Sequence, residues 1–403
     1  MKQNKLSFQF ERDFLSWVTK HLNVITFLAI TFFGLVLRYM LRNQTSGDLE
    51  LCLLPWFDKI NDNDFRTNLL TQVGNYNLLY QLFISILTYI PLRPILSYKL
   101  LSCIFDFLLA LIVMKFVYIL QTKESNVKKE KATEVALFAY AAIVFCPIVF
   151  LNSAAWGQCD SIYVFFIVFS LYQLYQERYA KAFILLGLSF AFKLQMVFIL
   201  PFYCFIYLVK KDFSILYFFL IPLTHLVTAI PNLLAGRSVL DLLKIYYHQT
   251  NTFRKITMNY PGFWSITNAN YDNFSRPAIV ITIVILGLLM YYFMKKKVTL
   301  TGDHMLYIAF LLTFACILFL PAMHERYGYL YEILAFILVF RYRKTLPLLI
   351  GLVLITIRTY SHYLFGIQIR LDLLGIINIT IFLCYLVYFN FIMNKEEVTQ
   401  YQN

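Results

Sequence analysis

Sixty per cent of the 403 residues are hydrophobic and only 14% are charged, whereas soluble domains run about 45–50% apolar and about 25% charged. No water-soluble core accounts for that excess, so much of this surface must face lipid. The formal net charge of +13 is scattered between apolar runs, as membrane proteins use positive charge to set orientation, and this points away from a nucleic-acid partner.

A spanning helix takes about 20 mainly apolar residues. Such runs occur at Val24–Met40, Leu100–Leu120, Val135–Leu151, Ser161–Tyr175, Phe213–Ile230, Ala278–Met294, Met305–Leu320, Leu330–Phe340, Leu346–Ile357 and Leu371–Met393. They are continuously apolar where a barrel would alternate, so the fold class is an all-α polytopic membrane protein. The polar start Met1–Lys20 followed by Val24–Met40 predicts a retained signal anchor in place of a cleaved leader. Positive residues recur in short polar segments: Lys2, Lys5, Arg12 and Lys20; Lys123, Lys128, Lys129 and Lys131; Arg178 and Lys181; Lys210 and Lys211; Lys295–Lys297; Arg341, Arg343 and Lys344; Lys395. Placing them in the cytoplasm predicts about twelve spans in a cell membrane, with both termini inside. Two of the spans must be short helices between Ala180 and Val209, hinged near Pro201. Residues 1–403 form a single multi-spanning domain without repeat or linker. The seven cysteines stand singly and mostly inside apolar runs, as small buried hydrophobes do.

This orientation leaves four polar segments on the outer face: a large first loop 42–97, then 152–160, 231–276 and 322–326. In the first, Ser46, Gly47 and Asp48 follow the span closely. Asp48 suits a helix cap or a general base at the membrane surface; Pro55, Trp56 and Phe57 suit the interface. Asp58 reads as a helix-surface charge or a second acid, and Gly74–Tyr76 as a turn. The second segment packs Trp156, Gln158 and Asp160 around Gly157. An indole, an amide and an acid together suit sugar recognition; an interfacial turn with a belt aromatic is the plainer alternative. Lys193 stands in the apolar stretch Phe192–Gln195, where an ionisable residue is either functional or snorkels to headgroups; both bring its ammonium to phosphate. In the fourth segment His324, Glu325 and Arg326 are consecutive at the end of a span. Burying all three in lipid would cost several kcal/mol, so they face a cavity. A second histidine at metalloprotease spacing is absent. His324 and Arg326 suit a phosphate or diphosphate, and Glu325 orients them or caps a helix. Asp106, within a span, is expected to make a structural hydrogen bond. Tyr246–His248 and Asn259–Trp264 are either substrate contacts or interfacial helix residues.

The order of these segments carries a resemblance. An acid after the first span in SGDLELCLLPWFDKI, then NSAAWGQCDS, then FKLQ, then HERY resembles the GPI-mannosyltransferase-related group of GT-C glycosyltransferases, over about Asp48 to Tyr327. Cys159 stands at a variable position of the second motif, and Leu194 stands where proline is more usual. The resemblance implies an inverting hexosyltransferase with an extracytoplasmic active site. The donor would be mannose or another hexose on a polyprenyl phosphate; the acceptor would be a glycan or glycolipid. It implies Asp48 as general base, Lys193, His324 and Arg326 at the donor phosphate, and Trp156, Gln158, Asp160 and Glu325 at the substrates. No nucleotide-binding loop is present, and a divalent metal is compatible but not required. The alternatives are a transporter or flippase of lipid-linked sugars, which would spread functional polar residues over both faces or the midplane, and a non-catalytic scaffold, which leaves Asp48 and the HERY cluster unexplained.

Overall fold

The computed structural model describes residues 8–125, 127–296 and 300–402. Lys2, Lys5 and Lys297 of the charge pattern lie outside them, as does the Lys395 side chain. The protein is all-α, 79% helical, and multi-pass: six helices are long and apolar enough to cross a membrane, or seven if a pair bent by 42° is one span.

The chain opens with α1 (Gln9–Lys20) and α2 (Leu22–Met40). The long first loop is not open chain. After a π-turn at Leu49–Leu53 it folds into α3 (Leu54–Asp62), α4 (Phe65–Leu70) and α5 (Leu78–Leu87), which pack Phe57, Ile60 and Tyr80 into a small core with Leu49 and with Tyr98, Ile162 and Phe192 from the bundle. Its pieces are too short to announce themselves as spans. Pro94 then starts α6 (Pro94–Lys123), where its missing N–H costs nothing. The bent pair is α7 (Lys129–Val144) with α8 (Pro147–Phe150) and its continuation Leu151–Ala155.

Next come α9 (Asp160–Tyr175) and α10 (Tyr179–Phe192). The expected hinge at Pro201 is displaced. The helix breaks at Lys193, which is extended (φ −156°, ψ 133°), and a 3₁₀ turn Leu194–Ile199 leads into α11 (Leu200–Lys210). Pro201 sits in the first turn of α11, where it leaves no helix bond broken. Then follow α12 (Leu220–Thr228), α13 (Ile230–Ala235) and α14 (Val239–Asn251). Gly236, left-handed at φ 110°, closes α13, and the Ser238 side chain caps α14 by accepting from Asp241 N–H.

The last helices are α15 (Tyr271–Lys295), α16 (Gly302–Phe319), α17 (Tyr329–Val339), α18 (Leu346–Phe365) and α19 (Leu371–Gln402). α18 outruns the expected Leu346–Ile357 by two turns. α16 is apolar all round and 94% of it is buried, which makes it the central post; Phe314 stacks on Tyr331 of α17 at 4.1 Å. α2 and α15 are 11% and 22% buried. Their outward residues, such as Phe32, Phe33, Ile283 and Leu288, are exposed and have only lipid to meet.

Polar contacts gather at the two ends of the bundle. At one end Tyr175 and the Gly302 N–H both donate to Glu124, Arg341 pairs with Asp303, and Lys210 pairs with Asp212. At the other end Arg93 donates to Asn43 and Lys99 to the Leu41 carbonyl, tying the start of α6 to the end of α2. There also a short parallel pair joins β1 (Thr257–Met258) to β2 (Met323–His324). Every residue singled out above for chemistry lies at this second end.

Candidate functional site

Asp48 stands in the first turn of the helix that runs into α3. Ser46 fixes that turn: its hydroxyl accepts the Leu49 N–H at 3.2 Å and donates to the Trp156 carbonyl at 3.0 Å. The 46–49 and 156–158 segments are thereby stapled together, and Gly157 lets them approach. Its φ is +80°, and a Cβ there would come 2.9 Å from Leu49 Cδ1.

Three donors converge on Asp48. Trp156 Nε1 and Gln158 Nε2 reach Oδ2 at 3.0 and 2.8 Å, and the Tyr363 hydroxyl reaches Oδ1 at 2.6 Å. All three neighbours are donors, which matches an acceptor-only carboxylate. Trp156 is fully buried and stacks on Tyr363 at 4.3 Å, so it orients the acid instead of presenting a free face to a sugar. Tyr363 escaped the sequence reading; the only signal was the polar run Arg358–His362, beyond where the span was expected to end.

Asp160, at the start of α9, is fully buried. Its carboxylate takes the Lys193 ammonium at 2.5 Å and the Asn152 amide at 2.8 Å. The break in the helix at Lys193 thus places a cation next to this acid. Asp160 was expected among the substrate contacts; here both its oxygens are spent on protein groups.

Arg326 lies between the acids. Its nearest approaches are 3.6 Å to Asp48, 3.6 Å to Asp160 and 3.4 Å to Glu325. The guanidinium also sits over the Trp156 ring, 5.6 Å from its centre. Its side chain makes one long hydrogen bond among the described residues, to Glu325, and its Nε is buried without a partner. Burial works against this charge, but Asp160, Asp48 and Glu325 outweigh it and raise its proton affinity above the ordinary value. A fork surrounded by carboxylates yet poorly matched to each has donors to spare for an incoming anion.

The loop carrying Arg326 is shaped by its neighbours. Ala322 is left-handed at φ 58° and donates to the Ile256 carbonyl, while Glu325 N–H donates to Met258. His324 packs edge-on against Phe253 at 4.7 Å. Burial first, then Arg326 and Lys193, hold its imidazole far below its usual pKa. Side-chain exposure separates the three acids: Asp48 30%, Glu325 2%, Asp160 0%. Of the three, only Asp48 is open to solvent. Among the described residues no group of three His, Cys, Asp or Glu is placed to hold a metal ion.

Burial pushes the Glu325 carboxyl up to about 7, with Asp48 and Asp160 adding to it and Arg326 opposing. Its pKa in the folded chain therefore exceeds the ordinary 4.5, and the unfolded chain gives up this proton first. Stability then falls as pH rises from about 4.5 to about 7, by at most about 1.4 kcal/mol per pH unit, and is flat on either side. The Tm difference between wild type and Glu325→Gln should follow that window; a difference constant from pH 4.5 to 7.5 would show that folding leaves the Glu325 pKa unshifted.

The structure thus brings Asp48, Trp156, Gln158, Asp160, Lys193, Glu325 and Arg326 into one cluster built from four stretches of chain, with His324 at its edge and Tyr363 joining from a fifth. No protein-family model matches the sequence, and no significant match to a curated protein is found.

Proposed function

We propose that the chain is an inverting glycosyltransferase of the GT-C class, related to the GPI-mannosyltransferase group. It moves a hexose from a polyprenyl-phosphate donor to an extracytoplasmic glycan or glycolipid. The observation that carries this reading is the pairing of a solvent-open carboxylate, oriented by three donors, with an under-committed arginine 3.6 Å away. Counted by the alternation of polar ends, α2, α6, α7, α9, α10, α11, α12 and α15 to α19 make twelve passes with both termini cytoplasmic.

In this reaction an acceptor hydroxyl gives its proton to Asp48 as its oxygen attacks the anomeric carbon. The bond from that carbon to the phosphate oxygen breaks on the opposite face, and its electron pair leaves with the polyprenyl phosphate. Arg326 and Lys193 stabilise the charge gathering there. Trp156, Gln158 and Tyr363 hold the base in line; Asp160, itself fixed by Asn152, holds the cations. The donor enters from the bilayer, which supplies it already anchored.

Purified protein in nanodiscs, given polyprenyl-phospho-hexoses and the membrane acceptor fraction, should release polyprenyl phosphate in step with glycoside formation. Transfer from a nucleotide sugar alone would overturn the donor class. Passage of intact lipid-linked sugar across vesicles without cleavage would establish a transporter instead.

A further inference from the structure

A cavity of about 580 Å³ opens between the first outer loop and α14, apart from the Asp48 cluster. Gln72, Asn75, Arg237, Lys244 and His248 are among its walls. Arg237 is the unusual member. It is 8% exposed; its Nη2 donates to Gln72 Oε1 at 2.7 Å, and its Nη1 is buried with no partner among the described residues. A buried charged donor left unmade is expensive, so such a group marks a place that an acceptor completes. Lys244, 2.8 Å from Asp241, and His248 one turn further add donors along the same wall. Two cations and a histidine against one acid leave the cavity positive.

The faces of α14 show the level at which the cavity lies. Leu242 and Ile245 turn inward onto Leu78 and Ala229. Val239, Leu240 and Leu243 are exposed, at 54%, 68% and 60%. The exposed apolar surface runs back through Leu234, Ile230 and Val227 on α13 and α12. A helix with such an edge lies in the interface with its apolar side in lipid. Its polar residues Asp241, Lys244 and His248 follow the apolar edge around the helix, so the cavity meets the membrane at headgroup level. Gln249 locks α14 to the first loop through the Asn75 carbonyl and Asn77 side chain.

We propose that this cavity binds the phosphate of an anionic membrane lipid, with Arg237 as its principal ligand and the acyl chains along the apolar edge of α14. The proposal is independent of sugar transfer, since its readout is binding.

The full chain in phosphatidylcholine nanodiscs is titrated with fluorescent phosphatidic acid. Wild type is expected to bind it in preference to labelled phosphatidylcholine. Arg237→Gln should lose at least about tenfold in affinity, as the loss of a charged hydrogen bond implies. Lys244→Gln, at an exposed position, should lose less and keeps the test open if the Arg237 variant does not fold. Asp48→Asn should bind as wild type does, so failure of this site and failure of the transfer reading are told apart. Equal binding by wild type and both cavity variants, or no preference over phosphatidylcholine, overturns the proposal. So does inorganic phosphate that binds the wild type without lipid and fully excludes phosphatidic acid, which would make the site one for free phosphate.

Discussion

Asp48→Asn is expected to lower turnover roughly 10²–10⁴-fold, the range a positioned general base supplies, with donor KM little changed. Asparagine keeps the shape but cannot take the acceptor's proton. It also turns an NH₂ toward a ring of donors. Trp156, Gln158 and Tyr363 all point N–H or O–H groups at this side chain, so one of them loses its acceptor. Donor binding survives because the phosphate is assigned to Arg326 and Lys193. The decisive measurement is single-turnover transfer from a polyprenyl-phospho-hexose. Wild-type rates in the Asn variant would remove Asp48 from proton transfer. A loss confined to KM would make it a binding group.

The contents of the site were more legible than its wiring. Asp48, Lys193 and Arg326 stand out because ionisable groups at the margins of apolar runs are costly unless they face water or one another, and the structure joins all three, Lys193 to Arg326 through Asp160 and Arg326 to Asp48 directly. The partners that hold them were hidden for the same physical reason in reverse. Tyr363 lies six residues past the expected end of its span, and its hydroxyl matters only because Trp156 and Asp48 arrive beside it. The break at Lys193 was hidden too, because proline is the usual breaker and Pro201 drew the hinge eight residues onward. Asp106 was expected to make a structural hydrogen bond, and it does, to Ser153 at 2.5 Å. Its charged partner lay on another span, 68 residues away, where no local pattern connects the two.

That partner is Arg38, and the pair underlies the second large effect. Arg38 Nε donates to Asp106 Oδ2 at 2.9 Å and Nη1 reaches the Val144 carbonyl at 3.2 Å, so one guanidinium joins α2, α6 and α7. Both residues are buried, at 5% and 0% exposure. α2 is mostly lipid-facing, and this joint adds to the Thr31–Tyr140 hydroxyl contact at 2.9 Å, the Lys99 tie at its end and the close approach that Gly34 allows to Val144 and Phe107. Asp106→Leu leaves the Arg38 charge uncompensated and should cost about 3–5 kcal/mol, seen as a marked drop in melting temperature by size-exclusion or fluorescence assay. Arg38→Met combined with Asp106→Leu removes both charges and should recover most of that stability, since a well-packed apolar pair often matches a buried ion pair. Transfer should recover less. Ser153 also bonds to Asp106, and its turn leads directly to Trp156, while α2 leads to Asp48; both arms of the site are aimed from this joint. A double variant no more stable than Asp106→Leu alone would show that the loss came from packing and not from an unpaired charge.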